Sequence, residues 1–109
     1  MAAWWHDDGY DVLLTPTMAE PPPVLGDLVP PADNPFEGAA RATAFATYTA
    51  PFNVTGQPAM SVPLFESSEG LPIGTHFVSA ANREDVLLRL ASQLETARPW
   101  SERRPPVHA

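Results

Sequence analysis

Proline is concentrated in one stretch of this chain, and that stretch limits what the chain can fold into. Seven of the fourteen prolines lie between residues 16 and 35. Proline lacks a backbone N–H and fixes φ at about −65°, so neither a helix nor a central strand can run through the stretch. It is either an extended linker or an irregular loop laid over a domain surface. We favour the loop, because apolar residues recur in it and are expected to be tucked in: Val24, Leu25, Leu28 and Val29.

The residues before the loop predict a short helix and a short strand. Residues 2–8 are typical of the end of a helix, and its Trp4 and Trp5 require a surface on which to pack. Residues 11–15 (DVLLT) form a continuous apolar run, and Pro16 ends it. Such a run, without alternation, predicts a strand that is covered on both faces and has parallel neighbours.

A helix rich in small residues is predicted directly after the loop. Residues 37–48 contain mainly alanine, glycine and threonine, which allow close packing, so we expect this helix to be buried. Pro51 disfavours helical geometry at Ala50, which places the end of the helix near Thr49. Residues 53–56 (NVTG) predict a turn.

The next part of the chain predicts a β-hairpin. Residues 58–65 and 71–80 are strand-like, and the five residues between them are polar and end in glycine, as in a hairpin loop. Prolines at 58, 63 and 72 indicate edge positions or irregular pairing at those points.

A helix over 83–97 is expected to close the fold. Asn82 is a suitable N-cap, and acidic residues follow it in the first turn, at the positive end of the helix dipole. Its apolar residues recur at helical spacing and are predicted to pack on the hairpin: Leu87, Leu90, Ala91 and Leu94. Residues 99–109 predict an extended tail anchored by Trp100.

Composition excludes several classes of function. The net charge is −7, and the only basic pair, Arg103-Arg104, is too small a cluster to bind nucleic acid. There is no cysteine, no apolar stretch approaches the ~20 residues of a membrane helix, and the N-terminus does not resemble a signal peptide. We therefore expect a soluble, cytoplasmic protein that binds neither nucleic acid nor membrane. All six basic residues are arginine, so no lysine base is available within the chain.

Five short motifs occur in a fixed order along the sequence. They are YDVLLTPT before the proline-rich loop, YTAPFN and TGQPAMSVP after it, GLPIG before the second hairpin strand, and NREDVLLRLA in the last helix. They occupy residues 10–17, 48–53, 55–63, 70–74 and 82–91. In this order, and with these gaps, residues 10–95 closely resemble the C-terminal portion of the amidase signature family.

The resemblance implies a fold and a chemistry. Members of the family share an α/β domain with a mixed, twisted sheet and helices on both sides. They hydrolyse carboxylic amides with a Ser–cis-Ser–Lys triad, in which a neutral lysine activates the nucleophile through the bridging serine. In the family the lysine and the glycine- and serine-rich segment lie N-terminal to the part matched here. No catalytic residue, metal or cofactor is therefore expected in this chain, and Ser67-Ser68, between two glutamates, is no substitute for the triad.

The resemblance also implies a pocket wall. In relatives, residues between the proline-rich loop and the Asn-x-x-Gly-x-Pro-Ala turn line part of the acyl-binding cavity. The members of the branch that supplies ammonia for tRNA-dependent amidation have an aspartate where this chain has Ala46, which favours a less polar acyl group here. For the aromatic candidates, ordinary core packing is an equally good interpretation. The candidates are Thr17, Phe45, Tyr48, Phe52 and Asn53.

Two other groupings of residues have simpler interpretations. His6-Asp7-Asp8 resembles a metal-binding cluster, but adjacent residues rarely converge on one ion, so a solvated helix end is the favoured interpretation. His76 with Ser61 or Ser79 could form a Ser-His hydrolase, but the sequence has no G-x-S-x-G elbow and no acid partner in order.

Two classes of function remain after these exclusions. In the first, residues 1–98 are the C-terminal segment of an amidase domain, which acts on a small-molecule amide once the N-terminal part is present. In the second, the chain is a non-catalytic binding or interaction module on the same scaffold. As an isolated piece, it is expected to expose strand edges and apolar surface, and so to self-associate.

Overall fold

Three antiparallel strands form the centre of the structure, a computed structural model that describes residues 2–105. Four helices accompany them, so the chain has the predicted α/β character. In chain order the elements are α1 (Ala2–His6), β1 (Leu13–Pro16), α2 (Glu37–Phe45), α3 (Ala50–Thr55), β2 (Ala59–Glu66), β3 (Pro72–Val78) and α4 (Glu84–Ala97). Among the described residues, no helix is long and apolar enough to cross a membrane.

The predicted hairpin is confirmed. β2 and β3 pair antiparallel, and β3 is the central strand of the order β1-β3-β2. The pairing slips between Val62 and Phe65, where Pro63 cannot donate to the ladder, as the proline positions predict. Ser67 shapes the hairpin turn, because its hydroxyl accepts hydrogen bonds from the backbone N–H groups of Glu69 and Leu71. Ser67 therefore has a structural role.

The prediction for the first strand is partly wrong. β1 begins at Leu13 and includes Pro16, and it pairs antiparallel with β3 at an edge of the sheet. Its residues alternate between half-buried and exposed, and Leu14 is 62% exposed. Neither the parallel neighbours nor the cover on both faces that the apolar run predicts occurs among residues 2–105. An apolar run indicates that a strand must be buried on both faces, but it does not indicate which part of a protein buries it.

One face of the sheet packs on α4, as predicted. Leu87 is buried with Val62, Leu64 and Phe77, and Leu90, Leu94 and Trp100 pack against this cluster. The predicted N-cap is wrong. Asn82 has a φ of 61° and lies in a turn, while Arg83 precedes the helix without a side-chain cap. Asparagine tolerates this left-handed conformation better than most residues, which accounts for its use there.

The other face of the sheet is covered only at one end. Val78 is buried there with Trp5 of α1 and Phe52 of α3, and Trp4 and Leu13 pack around them. The tryptophans of the N-terminal helix thus have the packing surface that they require.

The segment from 37 to 56 folds differently from the prediction. The first helix ends at Phe45, and a second helix, α3, occupies Ala50–Thr55, where a turn was predicted. Pro51 lies in the first turn of α3, where the missing N–H has no helical partner to lose. Gly56, with a φ of 70°, ends α3. Pro51 therefore belongs to the start of α3 and does not end α2, whose last residue is Phe45.

The expected burial of α2 and of the loop is also wrong. In α2 only Gly38 and Phe45 are buried. Beyond Pro16, the last residue of β1, the proline-rich stretch has no helix or strand, as predicted. The apolar residues that were expected to be buried are exposed: Val24, Leu25, Leu28 and Val29. Within residues 2–105 there is no second layer against which they could pack.

The start of the C-terminal tail contacts the hairpin. Trp100 packs on the α4 side of the core. Arg103 donates a hydrogen bond of 2.9 Å to the backbone carbonyl of Pro63, at the irregular point of β2. Residues 106–109, the end of the predicted extended tail, lie outside the described residues.

Candidate functional site

A row of polar side chains crosses the sheet on the face that α4 does not cover. Thr15, His76 and Ser61 are direct cross-strand partners, so their side chains share one face. Thr17, two residues beyond Thr15 and on the same face, forms a hydrogen bond of 2.6 Å between its Oγ1 and the Ser61 Oγ. Three strands thus contribute polar groups to one small area.

Gly74 provides the space for this row. A Cβ atom added to Gly74 would lie 2.5 Å from the Thr17 Oγ1 and 2.6 Å from the Ser61 Oγ. Both distances are far below van der Waals contact, so any side chain here would push the two hydroxyls apart. The second glycine of the GLPIG motif therefore has a packing reason.

His76 is the most buried member of the row, at 4% exposure. Its Nδ1 lies 2.9 Å from the Thr15 Oγ1, and its ring centroid lies 5.6 Å from that of Phe52. Burial lowers the pKa of His76 below its ordinary value of 6.5, because it disfavours the charged imidazolium. The imidazole is therefore neutral at neutral pH.

Two cavities open beside the polar row. The smaller, of about 350 Å³, is lined by polar and aromatic side chains, namely Thr17, Thr49, Phe52, Asn53, Gln57, Ala59, Met60, Ser61 and His76. The larger, of about 600 Å³, is bounded mainly by the beginning of the proline-rich loop (residues 16–23) and by residues of the hairpin. Thr17 and Ser61 line both cavities. The two cavities adjoin at these residues, and we call them together the cleft, in which the larger cavity is the more apolar.

The structure brings three of the five pocket candidates together. Thr17, Phe52 and Asn53 line the smaller cavity. Phe45 and Tyr48 line neither cavity. Phe45 is buried and carries the Arg41 guanidinium 4.7 Å from its ring centroid, while Tyr48 is partly exposed.

The sequence did not predict that Ser61 and His76 line the same cavity. Ser61 and His76 were weighed as a hydrolase, but their roles here differ, since each bonds to a threonine of the β1 side. Among the described residues, Ser61 forms no hydrogen bond with His76, and His76 forms none with an acidic side chain. Side chains alternate between the two faces of a strand. If the register of β2 against β3 had been known, this alternation would have placed Ser61 and His76 on the same face as the cavity. Within residues 2–105, no three His, Asp or Glu side chains are grouped as metal ligands.

The site and fold define a class of protein. The resemblance implies an α/β domain with a mixed sheet and helices on both sides, and the three antiparallel strands with their helices correspond to a piece of such a domain. The sequence matches the family described as Amidase over residues 1–88, and the chain belongs to this family.

Particular relatives are similar along nearly the whole chain. The 6-aminohexanoate-cyclic-dimer hydrolase of Paenarthrobacter ureafaciens is 45% identical, over 94% of this chain and 22% of its own length. The putative amidase AmiC of Mycobacterium tuberculosis (strain H37Rv) is 43% identical, over 92% of this chain and 20% of its own length. A solved structure of 6-aminohexanoate cyclic dimer hydrolase matches with a TM-score of 0.86 and 43% identity, over 96% of this chain and 23% of that one. The chain thus spans about a fifth of the length of these relatives.

Proposed function

We propose that this chain forms the C-terminal scaffold and part of the substrate pocket of an amidase. The reaction would be hydrolysis of a carboxylic amide by a Ser–cis-Ser–Lys triad contributed by an N-terminal part. The observation that carries the proposal is the coverage, since 94% of this chain corresponds to only 22% of the Paenarthrobacter relative. A chain without lysine cannot supply the base of such a triad, so we expect it to be inactive by itself. A cytoplasmic location belongs to the same proposal.

The pocket contribution would come from the cleft beside the polar row. Thr17, Phe52 and Asn53 line its smaller cavity, which supports their role as substrate contacts. Phe45 and Tyr48 stay in the proposal as residues of the neighbouring wall, to be completed by the N-terminal part. The alanine at position 46 favours a less polar acyl group. The name of the 6-aminohexanoate-cyclic-dimer relative points to the same substrate chemistry.

The partner of the chain would be the N-terminal part of the amidase. Among residues 2–105, β1 is an edge strand of the sheet, and its Leu14 is exposed. The loop and the residue that precedes α2 expose further large apolar side chains, among them Leu25 and Phe36. Uncovered strand edges and apolar surface favour association. Without the N-terminal part, we therefore expect the chain to self-associate or to be marginally stable.

A complementation experiment tests the proposal. The 109-residue chain is expressed alone, and also together with the Paenarthrobacter relative shortened to the residues that this chain does not match. Aliphatic and aromatic amides and 6-aminohexanoate cyclic dimer serve as substrates, and a fluorophosphonate serves as the serine probe. We expect turnover and labelling only for the combination, with labelling on the N-terminal part.

Two results would contradict the proposal. Turnover by the chain alone, or its labelling at Ser61, Ser67 or Ser68, would place catalysis within the chain. A monodisperse monomer that fails to complement, and unfolds cooperatively well above ~65 °C, would favour a binding module that stands alone. The shortened relative by itself is the control for residual activity.

A further inference from the structure

The short link between α1 and β1 contains a tight turn. Gly9 has a φ of 74°, in the left-handed region that favours glycine. Directly after this turn, the ring of Tyr10 stacks on that of Trp4, with ring centroids 4.7 Å apart and an interplanar angle of 24°. Trp4 also contacts Trp5 edge to face, with ring centroids 4.6 Å apart. The turn thus brings together two aromatic rings from either side of Gly9.

The stacked rings continue into the apolar cluster on the sheet face that α4 does not cover. Trp5 is buried in this cluster with Phe52 and Val78, and Trp4 packs against it. The link, residues 7–12, joins α1 directly to the edge strand β1. The position of α1 on the sheet therefore depends on the length and the conformation of this link.

One pair of residues in the link is able to react within itself. The chain has six aspartates, and all six are exposed. Only Asp8 is followed by a glycine. In such a pair, the backbone nitrogen of the glycine can approach the carboxyl carbon of the aspartate closely, because the glycine has no Cβ atom to hinder it. Residue type therefore separates Asp8 from the other five aspartates, although exposure does not.

The surroundings of this pair leave it unhindered. The Asp8 carboxylate forms no hydrogen bond or ion pair with another described residue. A Cβ atom built on Gly9 would meet no atom within 4 Å, so the space around the backbone is open. Asp85 differs in this respect, because Arg83 and Arg89 both bond to its carboxylate. An exposed, unpaired carboxylate and an open glycine thus occur together in the link.

We propose that Asp8–Gly9 is a site of spontaneous backbone isomerisation. The Gly9 nitrogen attacks the Asp8 Cγ and loses its proton, and the carboxyl hydroxyl leaves, so that one water is released and a cyclic succinimide forms. Water then opens the ring. Attack at Cγ breaks the new bond and restores aspartate. Attack at the backbone carbonyl carbon of Asp8 breaks the original peptide bond and gives isoaspartate, in which the main chain runs through the Asp8 side chain. The two steps release and consume one water, and they need no oxidant, metal or enzyme.

Isoaspartate changes the geometry of the link. The main chain gains one methylene carbon at position 8, and the carboxylate moves to the former α-carbon. Because Trp4 and Tyr10 lie on either side of this position, the longer link no longer holds their rings in the same stack. We therefore expect the isomerised chain to lose the contact between Trp4 and Tyr10 and to hold α1 less firmly on the sheet.

Peptide mapping of the aged protein tests the proposal. The 109-residue chain is incubated in warm, mildly acidic buffer, and samples are taken over several weeks. Electron-transfer mass spectrometry locates isoaspartate, and an isoaspartyl methyltransferase quantifies it. We expect isoaspartate to accumulate several-fold faster at Asp8 than at Asp7, which is equally exposed but is followed by a residue with a side chain. Equal accumulation at the two positions, or none at Asp8, would overturn the proposal.

Asp8→Glu is the matched control, because the longer side chain would have to close a larger ring that forms more slowly. The aged variant should show no isomerisation at position 8. The unaltered chain aged in urea gives the rate of the reaction without the fold. A rate at Asp8 in the folded chain that is many-fold below the rate in urea would show that the fold protects the pair, and would also reject the assignment.

Near-ultraviolet circular dichroism measures the structural consequence. We expect the purified isoaspartate form to lose part of the aromatic signal of the fresh chain, whereas aged Asp8→Glu should retain its signal. An unchanged signal in the isoaspartate form would refute the predicted loss of the Trp4–Tyr10 contact. None of these measurements requires turnover, so failure of the complementation assay would leave this inference intact.

Discussion

The hairpin with α4 and the segment from 17 to 49 have similar shares of apolar residues but differ in how many of them are buried. In the hairpin unit, Leu87 of α4 is buried against Val62 and Phe77. In the other segment, α2 buries only Gly38 and Phe45, and the apolar side chains of the loop face outward. The hairpin unit contains both of the apolar surfaces that pack together in its core. The segment from 17 to 49 contains only one such surface, and the surface that would cover it is not among residues 2–105.

The difference between the two regions has an energetic cause. Ordering a residue costs roughly 1–2 kcal/mol of backbone entropy, and apolar burial is the main term that offsets it. The hairpin unit can offset the cost with residues close in sequence. The loop and α2 cannot do so among residues 2–105. The cleft lies where the two regions meet, so one of its walls is firmly supported and the other depends on further contacts.

Core truncation should give the largest contrast between the two regions. We expect Leu87→Ala to lower the free energy of unfolding by about 2–5 kcal/mol, since Leu87 is only 4% exposed. Leu90→Ala should cost less, because Leu90 is half-buried. Leu25→Ala, in the exposed loop, is the matched control and should stay within about 0.5 kcal/mol of the parent chain. Urea denaturation followed by circular dichroism measures all three, and similar effects for Leu87 and Leu25 would erase the contrast.

A side chain at the junction of the two regions should have the next largest effect. Gly74→Ala places a Cβ about where the Thr17 and Ser61 hydroxyls now lie. We expect a loss of roughly 1–3 kcal/mol in unfolding free energy, typical of overpacking. The control adds Gly74→Ala to a chain that already carries Thr17→Ala and Ser61→Ala. There the penalty should shrink, and an equal penalty in both backgrounds would show that the hydroxyls are not the cause.

The pH dependence of the unfolding free energy should show the effect of burying His76 on the cavity face of the hairpin unit. Burial lowers the pKa of His76, so the unfolded chain binds a proton at this residue more readily than the folded one. Its contribution to stability is complete above pH 6.5, the ordinary value, and falls as the pH drops below it, by at most about 1.4 kcal/mol per pH unit.

His76→Gln should remove that dependence between pH 6.5 and the range in which carboxylates titrate. Chemical denaturation at a series of pH values gives the measurement, with His6→Gln as the control. A dependence that persists in His76→Gln and disappears in His6→Gln would contradict the assignment.

The tail contact should have the smallest effect. The Arg103 guanidinium donates to the Pro63 carbonyl at 2.9 Å and lies 3.6 Å from a Glu66 carboxylate oxygen. Because Arg103 is partly exposed, we expect Arg103→Ala to cost only about 0.5–1.5 kcal/mol in unfolding free energy. Arg104→Ala, next in sequence and bonded only to carbonyls of the tail, is the control. Equal effects of the two would indicate that the hairpin contact contributes nothing.

Local sequence signals predicted the hairpin and α4 well. The polar connection between two strand-like runs and the single apolar helix face each depend on residues near one another. The motif order also indicated the family, which the match over residues 1–88 shows. The errors lie where one residue fits two structures. Pro51, which was predicted to end a helix, lies in the first turn of α3, and Asn82 is as acceptable in a left-handed turn as at an N-cap.

The site was predictable only in part. The motifs around Thr17, Phe52 and Asn53 indicated cavity residues, and these three share a cavity. His76 and Ser61 entered the sequence analysis only as an implausible catalytic pair. Their placement opposite each other depends on strand register, which the hairpin's alternation and turn set together. Phe45 and Tyr48 line neither cavity, and α2 ends earlier than its composition predicts.

Local sequence was enough to establish the irregular proline-rich loop, the hairpin, the closing helix and the absence of a lysine base. These features follow from backbone chemistry, short-range periodicity and residue inventory. The tertiary structure alone decided the antiparallel edge position of β1, the exposure of the loop, and the meeting of Thr15, Thr17, Ser61 and His76 over Gly74. Those features depend on which surfaces are present to pack together, and on register between distant strands. No local pattern in a single chain carries that information.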